Sequence, residues 1–249
     1  MTPPRKAKKQ RLDVLVVERG LAESRQRAQA LILAGHVFVN QQKAAKAGAL
    51  VAADAAVEVR GEALRYASRG GIKLEGALED FALDVSGKVC LDVGSSTGGF
   101  TDCLLQRGAS KVFAVDVSVA QLAWKLRRDG RVITVEQNAR YLKPEHIGEL
   151  VDVVVLDVSF ISVAKVLPAV APLVRPGGDL LILVKPQFEL DREDIGRGGI
   201  VRDPKLHERA IARARAAAES AGLAVAGVSP SRLPGAEGNQ EYFLHARKT

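Results

Sequence analysis

Asp157 and Lys185 each close a strongly apolar run, the first in VDVVVLDVSFIS and the second in LLILVKPQFE. Ionising a carboxylate or an ammonium away from water is costly, so each is either paired for structure or placed at a site. Burial disfavours the ammonium of a strand-end lysine unless an acid compensates it. The two could therefore form an ion pair holding neighbouring strands, or a proton-handling pair in a cleft. Two more charged residues stand at element boundaries. Lys73, in YASRGGIKLEGAL, sits on the turn into a helix, and Glu241, in EGNQEYFLH, opens the last strand. Taken singly, each reads equally well as a solvent-facing residue.

A second group of residues has the chemistry of a nucleotide-like ligand site. LDVGSSTGGFTD places Asp92 at a strand end and Gly94, Gly98 and Gly99 before a helix. Glycine allows tight turning and close approach of backbone to a ligand, and a helix N-terminus favours anionic groups. A glycine-rich turn alone is a weak signal, since dinucleotide enzymes use one too. Here the acid precedes the first glycine, and the spacing is Asp-x-Gly-x-x-x-Gly. In FAVDVS, Asp116 ends the next strand, where an acid can accept hydrogen bonds from ribose hydroxyls or cap a helix. In TVEQNARYL, Asn138 offers an amide to an adenine edge, or is a turn residue.

The elements that must position these groups fall into two regions. From about Leu74 onward, strand-like segments (KVCLDVG, KVFAVDV, RVITV, VDVVVLDV, DLLILVK, LAVAGVS, EYFLHAR) are separated by helix-forming ones such as FTDCLLQRG and HERAIARARAAAESAG. That alternation predicts a mostly parallel α/β sheet, which binds ligands at the carboxyl ends of its strands. Before it, residues 11–63 read as a small α+β module. It has one helix closed by Gly20, a second capped at Ser24 and closed by Gly35, the strand HVFVN, and a closing strand in GALVAADAAVEV. Ala28, Leu31 and Ile32 recur at core spacing in the second helix. The predicted order is a basic tail (1–10), this module, a linker (64–73) and the α/β domain (74–249).

With 36 Lys+Arg against 29 Asp+Glu, the net charge of +7 favours an anionic partner, nucleic acid first among them. Cys90 and Cys103 fall in a predicted strand and helix and read as buried thiols of a reducing compartment. No apolar run approaches the ~18 residues that span a bilayer. MTPPRKAKKQR has no apolar stretch behind it, so it is not a signal peptide. It reads as a solvated extension or a nucleic-acid arm. The expectation is a soluble, cytoplasmic, monomeric protein.

The order Arg-Leu-Asp, Gly-Leu, Ser-Arg, Ala, Leu-Ile and Gly-His-Val-Phe-Val-Asn resembles the S4 RNA-binding domain. The resemblance implies that Arg11, Arg25, Arg27 and Lys43 face RNA phosphates; otherwise they are solvated helix and loop residues. The glycine loop resembles the S-adenosylmethionine loop of class I methyltransferases. S-adenosylmethionine is thereby implied as cofactor, held by Asp92, Gly94, Ser95, Gly98, Gly99, Phe100, Asp116 and Asn138. Lys73, Asp157, Lys185 and Glu241 follow the Lys-Asp-Lys-Glu order of FtsJ-like ribose 2'-O-methyltransferases. Enzymes that methylate exocyclic amines carry Pro-Pro-aromatic after the acid, where this chain has Val158-Ser159-Phe160, which disfavours a base substrate.

Together with GGIVRDP and GNQEYFLH, these motifs resemble the TlyA family of ribosomal RNA 2'-O-methyltransferases, often labelled hemolysin A, over essentially the whole chain. The resemblance implies a class I, Rossmann-like methyltransferase domain after a small S4 domain. It also implies ribosomal subunits as partners, a cytidine in small- or large-subunit rRNA as target, no metal, and a segment at Arg65–Gly70 that couples RNA engagement to cofactor binding. In the mechanism it suggests, Lys185 contacts the 2'-oxygen and accepts its proton, and Asp157 orients Lys185. Lys73 and Glu241 position the ribose. Burial and Lys73 would lower the proton affinity of Lys185, while Asp157 and Glu241 would raise it. LDREDIGRGGIVRDPKLHE reads as a lid ordered by RNA or as a solvated insertion. Two rival functions remain open from the sequence: a non-enzymatic RNA-binding protein on a methyltransferase fold, tested by cofactor calorimetry, and a pore-forming hemolysin, tested by liposome leakage.

Overall fold

A computed structural model describes residues 9–22, 24–59, 65–235 and 238–249. Most of the basic tail and the start of the predicted linker lie outside the described residues. The chain divides into two units, Met1–Ala63 and Leu64–Thr249.

In the first unit, Ser24 in extended conformation accepts a hydrogen bond from the Arg27 N–H at 3.2 Å and starts α2 (Arg25–Leu33). α1 (Leu12–Glu18) precedes it, and Gly20 and Gly35, both at positive φ, end the two helices as expected. Leu12, Leu15 and Val16 of α1 pack on Ala28, Leu31 and Ile32 of α2, with Val37 and Val57 completing the core. Five short strands flank the helices: β1 (Lys9–Arg11), β2 (Val37–Val39), β3 (Gln42–Lys43), β4 (Leu50–Ala52) and β5 (Val57–Val59). They form two antiparallel sheets, β1-β4 and β3-β2-β5; HVFVN supplies β2 as expected, and the segment expected to give one closing strand gives two, β4 and β5.

The second unit opens with α3 (Arg69–Asp80). Arg69–Lys73, assigned in the sequence reading to a linker, are therefore the first turns of a helix; Ser68 enters it from extended backbone, and Leu74, Ala77 and Leu78 bury its inner face. After α3 come β6 (Val89–Val93), α4 (Gly99–Gln106), β7 (Lys111–Asp116), α5 (Trp124–Arg127), β8 (Val132–Glu136), α6 (Pro144–Ile147) and β9 (Val151–Leu156). α7 (Leu167–Val170), β10 (Val174–Val184), α8 (Pro186–Glu189), α9 (Pro204–Ser220), β11 (Leu223–Pro230) and β12 (Tyr242–Lys248) complete the chain. All seven strands read from the alternation join one sheet in the order β11-β12-β10-β9-β6-β7-β8.

β8, β7, β6, β9 and β10 run parallel, and β12 inserts antiparallel between β10 and β11. Apolar clusters cover both faces: Leu74, Leu104 and Phe243 belong to one, Leu156, Leu167 and Ala214 to the other. This double-sided burial explains why the central strands are continuous branched apolar runs. Cys90 and Cys103 are buried free thiols, as expected. Among the described residues no helix is long and apolar enough to cross a membrane.

Two features of this topology locate the site. The chain leaves β6 toward β7 and β8, then returns to lay β9 on the other side of β6, so a crevice opens where β6 and β9 end. The reversal of β12 pairs Tyr242, at its start, with Val184, at the end of β10. Glu241 and Lys185, distant in sequence, are thus brought to one edge of the sheet.

Candidate active site

Two cavities meet in the crevice. One, of about 190 Å³, is lined by Ser68, Lys73, Gly94, Ser95, Phe100 and Asp157, with Gly99 also on its wall. The other, of about 510 Å³, is lined by Gly94, Ser96, Asp116, Asn138, Asp157 and Phe160. The loop between them hangs on β7: the N–H groups of Gly94 and Ser95 both donate to the Val115 carbonyl, at 2.9 and 3.0 Å. Asp116 braces the same loop, its Oδ2 accepting from Ser96 N–H at 2.9 Å and its Oδ1 from Ser118 N–H at 3.1 Å. A carboxylate has about four acceptor sites, so capacity remains for ligand hydroxyls.

The glycines are needed chiefly for packing. Gly94 has φ +88°, and a Cβ there would lie 2.3 Å from the Asp157 carbonyl oxygen; Gly98 has φ +93°, and a Cβ would lie 2.2 Å from the Leu126 side chain. Gly98 thus touches core and lines neither cavity, contrary to the ligand-facing role expected of it. Asp92 is displaced in the same way: fully buried beneath the loop, its Oδ2 accepts from the Thr101 hydroxyl at 2.6 Å. Burial pushes its carboxyl up to about 7, against the Thr101 bond, which favours the charged form. Phe100 reaches the smaller cavity, but its ring packs on Phe243, centroids 6.1 Å apart. Asn138 lines the larger cavity, with Oδ1 capping a turn through Arg140 N–H at 3.0 Å.

Ser95 supplies the test of fit for the implied cofactor. Its side chain is buried, and its Oγ has no hydrogen-bond partner among the described residues, an arrangement that costs free energy unless a polar ligand group completes it. A small lobe with an unpaired hydroxyl and a larger lobe with a carboxylate and an amide fit the amino-acid and nucleoside halves of S-adenosylmethionine.

A third cavity, of about 440 Å³, is lined by Lys73, Ser159, Phe160, Lys185, Gln187 and Glu241, among others. It shares Lys73 with the smaller cavity and Ser159's neighbour Phe160 with the larger. The four charged residues singled out in the sequence thus converge, and they do so as two pairs. Lys185 Nζ stands 2.5 Å from Asp157 Oδ1 and donates to Ser159 Oγ at 2.9 Å. Lys73 Nζ donates to Glu241 Oε2 at 2.6 Å. Lys73 is therefore committed to its own acid, and the simple expectation that it acts on Lys185 as a second cation gives way to two compensated pairs. An ammonium has three donors and Ser159 takes one, so Lys185 keeps donor capacity for a group in the cavity beside its ion pair with Asp157.

Ser159 and Phe160 are contributions the sequence reading missed. In the sequence, Ser159 stands out only as a replacement for proline and Phe160 only as the aromatic that follows it. Phe160 is 91% exposed with φ +64°, and its ring stands 5.3 Å from that of Phe188. An exposed aromatic at the shared rim of two cavities is a stacking surface. A signal was available in the apolar ring directly following a serine two residues past a strand-end acid.

The segment after β10 is tied to the rest of the domain by residues that follow it in the chain. Asn239, buried, accepts from Val201 N–H at 2.9 Å and donates to the Gly199 carbonyl at 2.8 Å. His207 Nε2 donates to the Val201 carbonyl at 3.0 Å, and Tyr242 completes the ring through Nδ1 at 3.2 Å. Arg213 pairs with Asp191 at 2.6 Å, and Arg209 pairs with Asp194. These contacts seat Ile195 and Gly199 on the wall of the lysine cavity.

In the first unit, two of the four residues assigned to RNA are partly committed elsewhere. Arg11 donates twice to Asp13, at 3.0 and 2.9 Å, and Arg25 donates to the same carboxylate at 2.9 Å, joined by Gln29 at 2.8 Å. These donors hold the buried Asp13 carboxyl well below the usual range. Both arginines remain about half exposed, so they can meet phosphate from the outer side. Lys43 is exposed and lays its chain over Gly35, and Arg27 is half-buried on α2. Among the described residues no cluster could hold a metal ion.

A family model described as FtsJ-like methyltransferase matches residues 66–248, and one described as S4 domain matches residues 10–57. The chain is 49% identical over 243 residues to the 16S/23S rRNA (cytidine-2'-O)-methyltransferase TlyA of Mycobacterium tuberculosis, covering 97% of this chain and 91% of that one. It is 43% identical over 237 residues to Hemolysin A of Brachyspira hyodysenteriae, covering 94% and 98%. A solved structure from Streptococcus thermophilus, provisionally described as a hemolysin, superposes with a TM-score of 0.76 at 44% identity, covering 97% of this chain and 89% of that one.

Proposed function

Because the chain belongs to the TlyA family of FtsJ-like methyltransferases that carry an S4 domain, we infer that it methylates the ribose 2'-hydroxyl of a cytidine in ribosomal RNA, using S-adenosylmethionine. It acts as a cytoplasmic monomer on ribosomal subunits. The single observation that carries the chemistry is the meeting of two lysine–acid pairs beside the glycine loop, with Lys73, Lys185 and Glu241 lining the third cavity and Asp157 reaching Lys185 from the wall of the other two. When bound, S-adenosylmethionine supplies an electrophilic sulfonium methyl.

What remains for the protein is to align the hydroxyl and manage its proton. Ser95 and the loop backbone receive the amino-acid end, and Asp116 and Asn138 the nucleoside end. The free donor of Lys185 grips the 2'-oxygen; in its amine form the same nitrogen accepts the hydroxyl proton, and the Asp157 carboxylate neutralises the ammonium that results. Ser159 fixes the rotamer of Lys185, and the Lys73–Glu241 pair borders the ribose without adding net charge. Phe160 offers its face to the target base. The first unit adds affinity through charge, with Arg11, Arg25, Arg27 and Lys43 as its cations.

The test is methyl transfer to rRNA carrying a single 2'-deoxy substitution at the mapped target. Loss of transfer only for that substrate is expected; undiminished transfer would move the reaction to a base and remove this reading. Replacing Asp116 by alanine should weaken S-adenosylmethionine binding about tenfold in calorimetry, because hydrogen bonds to a charged acceptor are lost. Unchanged affinity would remove Asp116 from the cofactor site.

A further inference from the structure

We propose that Glu189 is a positioning residue that holds the loop after β9 in its working shape against the turn that carries Lys185. The proposal rests on the reading that Lys185 and Asp157 handle the 2'-hydroxyl.

The loop from Asp157 to Val163 is anchored at both ends. At its start the Asp157 N–H donates to the Val93 carbonyl at 2.9 Å. At its end the Ser162 hydroxyl donates to Glu189 Oε2 at 2.6 Å, and the Val163 N–H donates to Glu189 Oε1 at 2.9 Å. Between the anchors, Phe160 holds φ +64°, a left-handed conformation that is unfavourable for a bulky side chain. Its side chain is too exposed for burial to impose that conformation, and its ring has Phe188 as aromatic neighbour. The strain is held by the anchors together with the packing of Val158, Ile161 and Val163 on the core, and Glu189 supplies both hydrogen bonds at the far anchor.

The clamp is coupled to the chemistry through α8. Lys185 is the N-cap of this four-residue helix and Glu189 is its last residue, so one rigid turn carries both. Arg213 fixes that turn to α9 by donating to the Glu189 carbonyl at 2.8 Å. The clamped loop in turn presents Asp157 and Ser159 to Lys185. Glu189 is buried, which raises its carboxyl from the usual range, while its two donors favour the charged form. A carboxylate kept out of water with both oxygens engaged is a structural commitment at a functional loop.

The experiment uses the full chain with Glu189→Ala, Glu189→Gln and Ser162→Ala, and Lys185→Ala as reference. Glu189→Ala is expected to lower kcat about 50-fold through misplacement of the reacting groups. S-adenosylmethionine and rRNA affinities should stay within about twofold, because neither ligand is bound by this side chain. Amide hydrogen exchange at Val163 should accelerate. Glu189→Gln should restore kcat to within about threefold, since its amide oxygen can accept from Val163 and its NH₂ can donate to Ser162. Ser162→Ala should cost a few-fold and add nothing to Glu189→Ala, as expected of partners in one contact.

A wild-type kcat in Glu189→Ala would overturn the proposal, as would a glutamine variant as impaired as the alanine one. Should Glu189→Ala not fold, Ser162→Ala decides: unchanged kcat and unchanged exchange at Val163 would overturn it. An active Lys185→Ala would instead sink the underlying reading, so the two failures are distinguishable.

Discussion

Replacing Lys185 by alanine should lower kcat for rRNA methylation about 10³-fold and leave S-adenosylmethionine affinity nearly unchanged. The side chain lines the third cavity and neither of the two proposed for the cofactor, so under that proposal the cofactor loses no contact. The 2'-oxygen loses its donor and the hydroxyl proton its acceptor. Asp157 loses its cation but keeps a quarter of its side-chain surface open to water, so the fold should survive. Lys185→Arg separates the two roles of the nitrogen. A guanidinium keeps the charge and the pairing with Asp157 but cannot give up a proton near neutral pH. If Lys185 accepts the proton, the arginine variant is as inactive as the alanine one across the pH range; if it serves as a fixed charge, the arginine variant recovers a large part of kcat. Initial rates from pH 6 to 9 with saturating cofactor make the distinction. Full activity in Lys185→Ala would end the assignment.

The sheet was legible because the five parallel strands are largely branched apolar runs ending in glycine, acid or lysine, and all seven segments became strands of one sheet. The positions of Asp157 and Lys185 at strand ends followed from the same pattern. What could not be read was pairing across long separations. Lys73 meets Glu241 because β12 reverses, and no local signal encodes that reversal. Asp92 reads like any strand-end acid, yet the threonine nine residues on turns it inward. Arg11 and Arg25 look like free cations until helix packing brings Asp13 between them. The segment at 190–201 looks loose because the residues that tie it, His207 and Asn239, lie beyond it in the chain. Sequence pattern reports on an element and its buried face, whereas the partner of a polar group depends on how elements pack.

Gly94→Ala should affect cofactor binding and catalysis together. At φ +88° a side chain costs about 1–2 kcal/mol of backbone free energy before any contact is counted. The new methyl would also lie 2.3 Å from the Asp157 carbonyl oxygen, and that obstacle is backbone, which cannot swing aside. Asp157 is fixed by its own N–H to Val93, so relief must come from moving the 94–96 segment away from β7 or moving Asp157 away from Lys185. The first displacement shifts Ser95, and the second opens the lysine–acid pair. The expected result is a drop in S-adenosylmethionine affinity of at least about tenfold in calorimetry, with kcat at saturating cofactor reduced as well. Gly130→Ala, where a Cβ meets nothing within 4 Å, is the matched control and should bind and turn over normally. If Gly94→Ala behaved like that control, the close contact between the loop and Asp157 would not be what couples the two halves of the site.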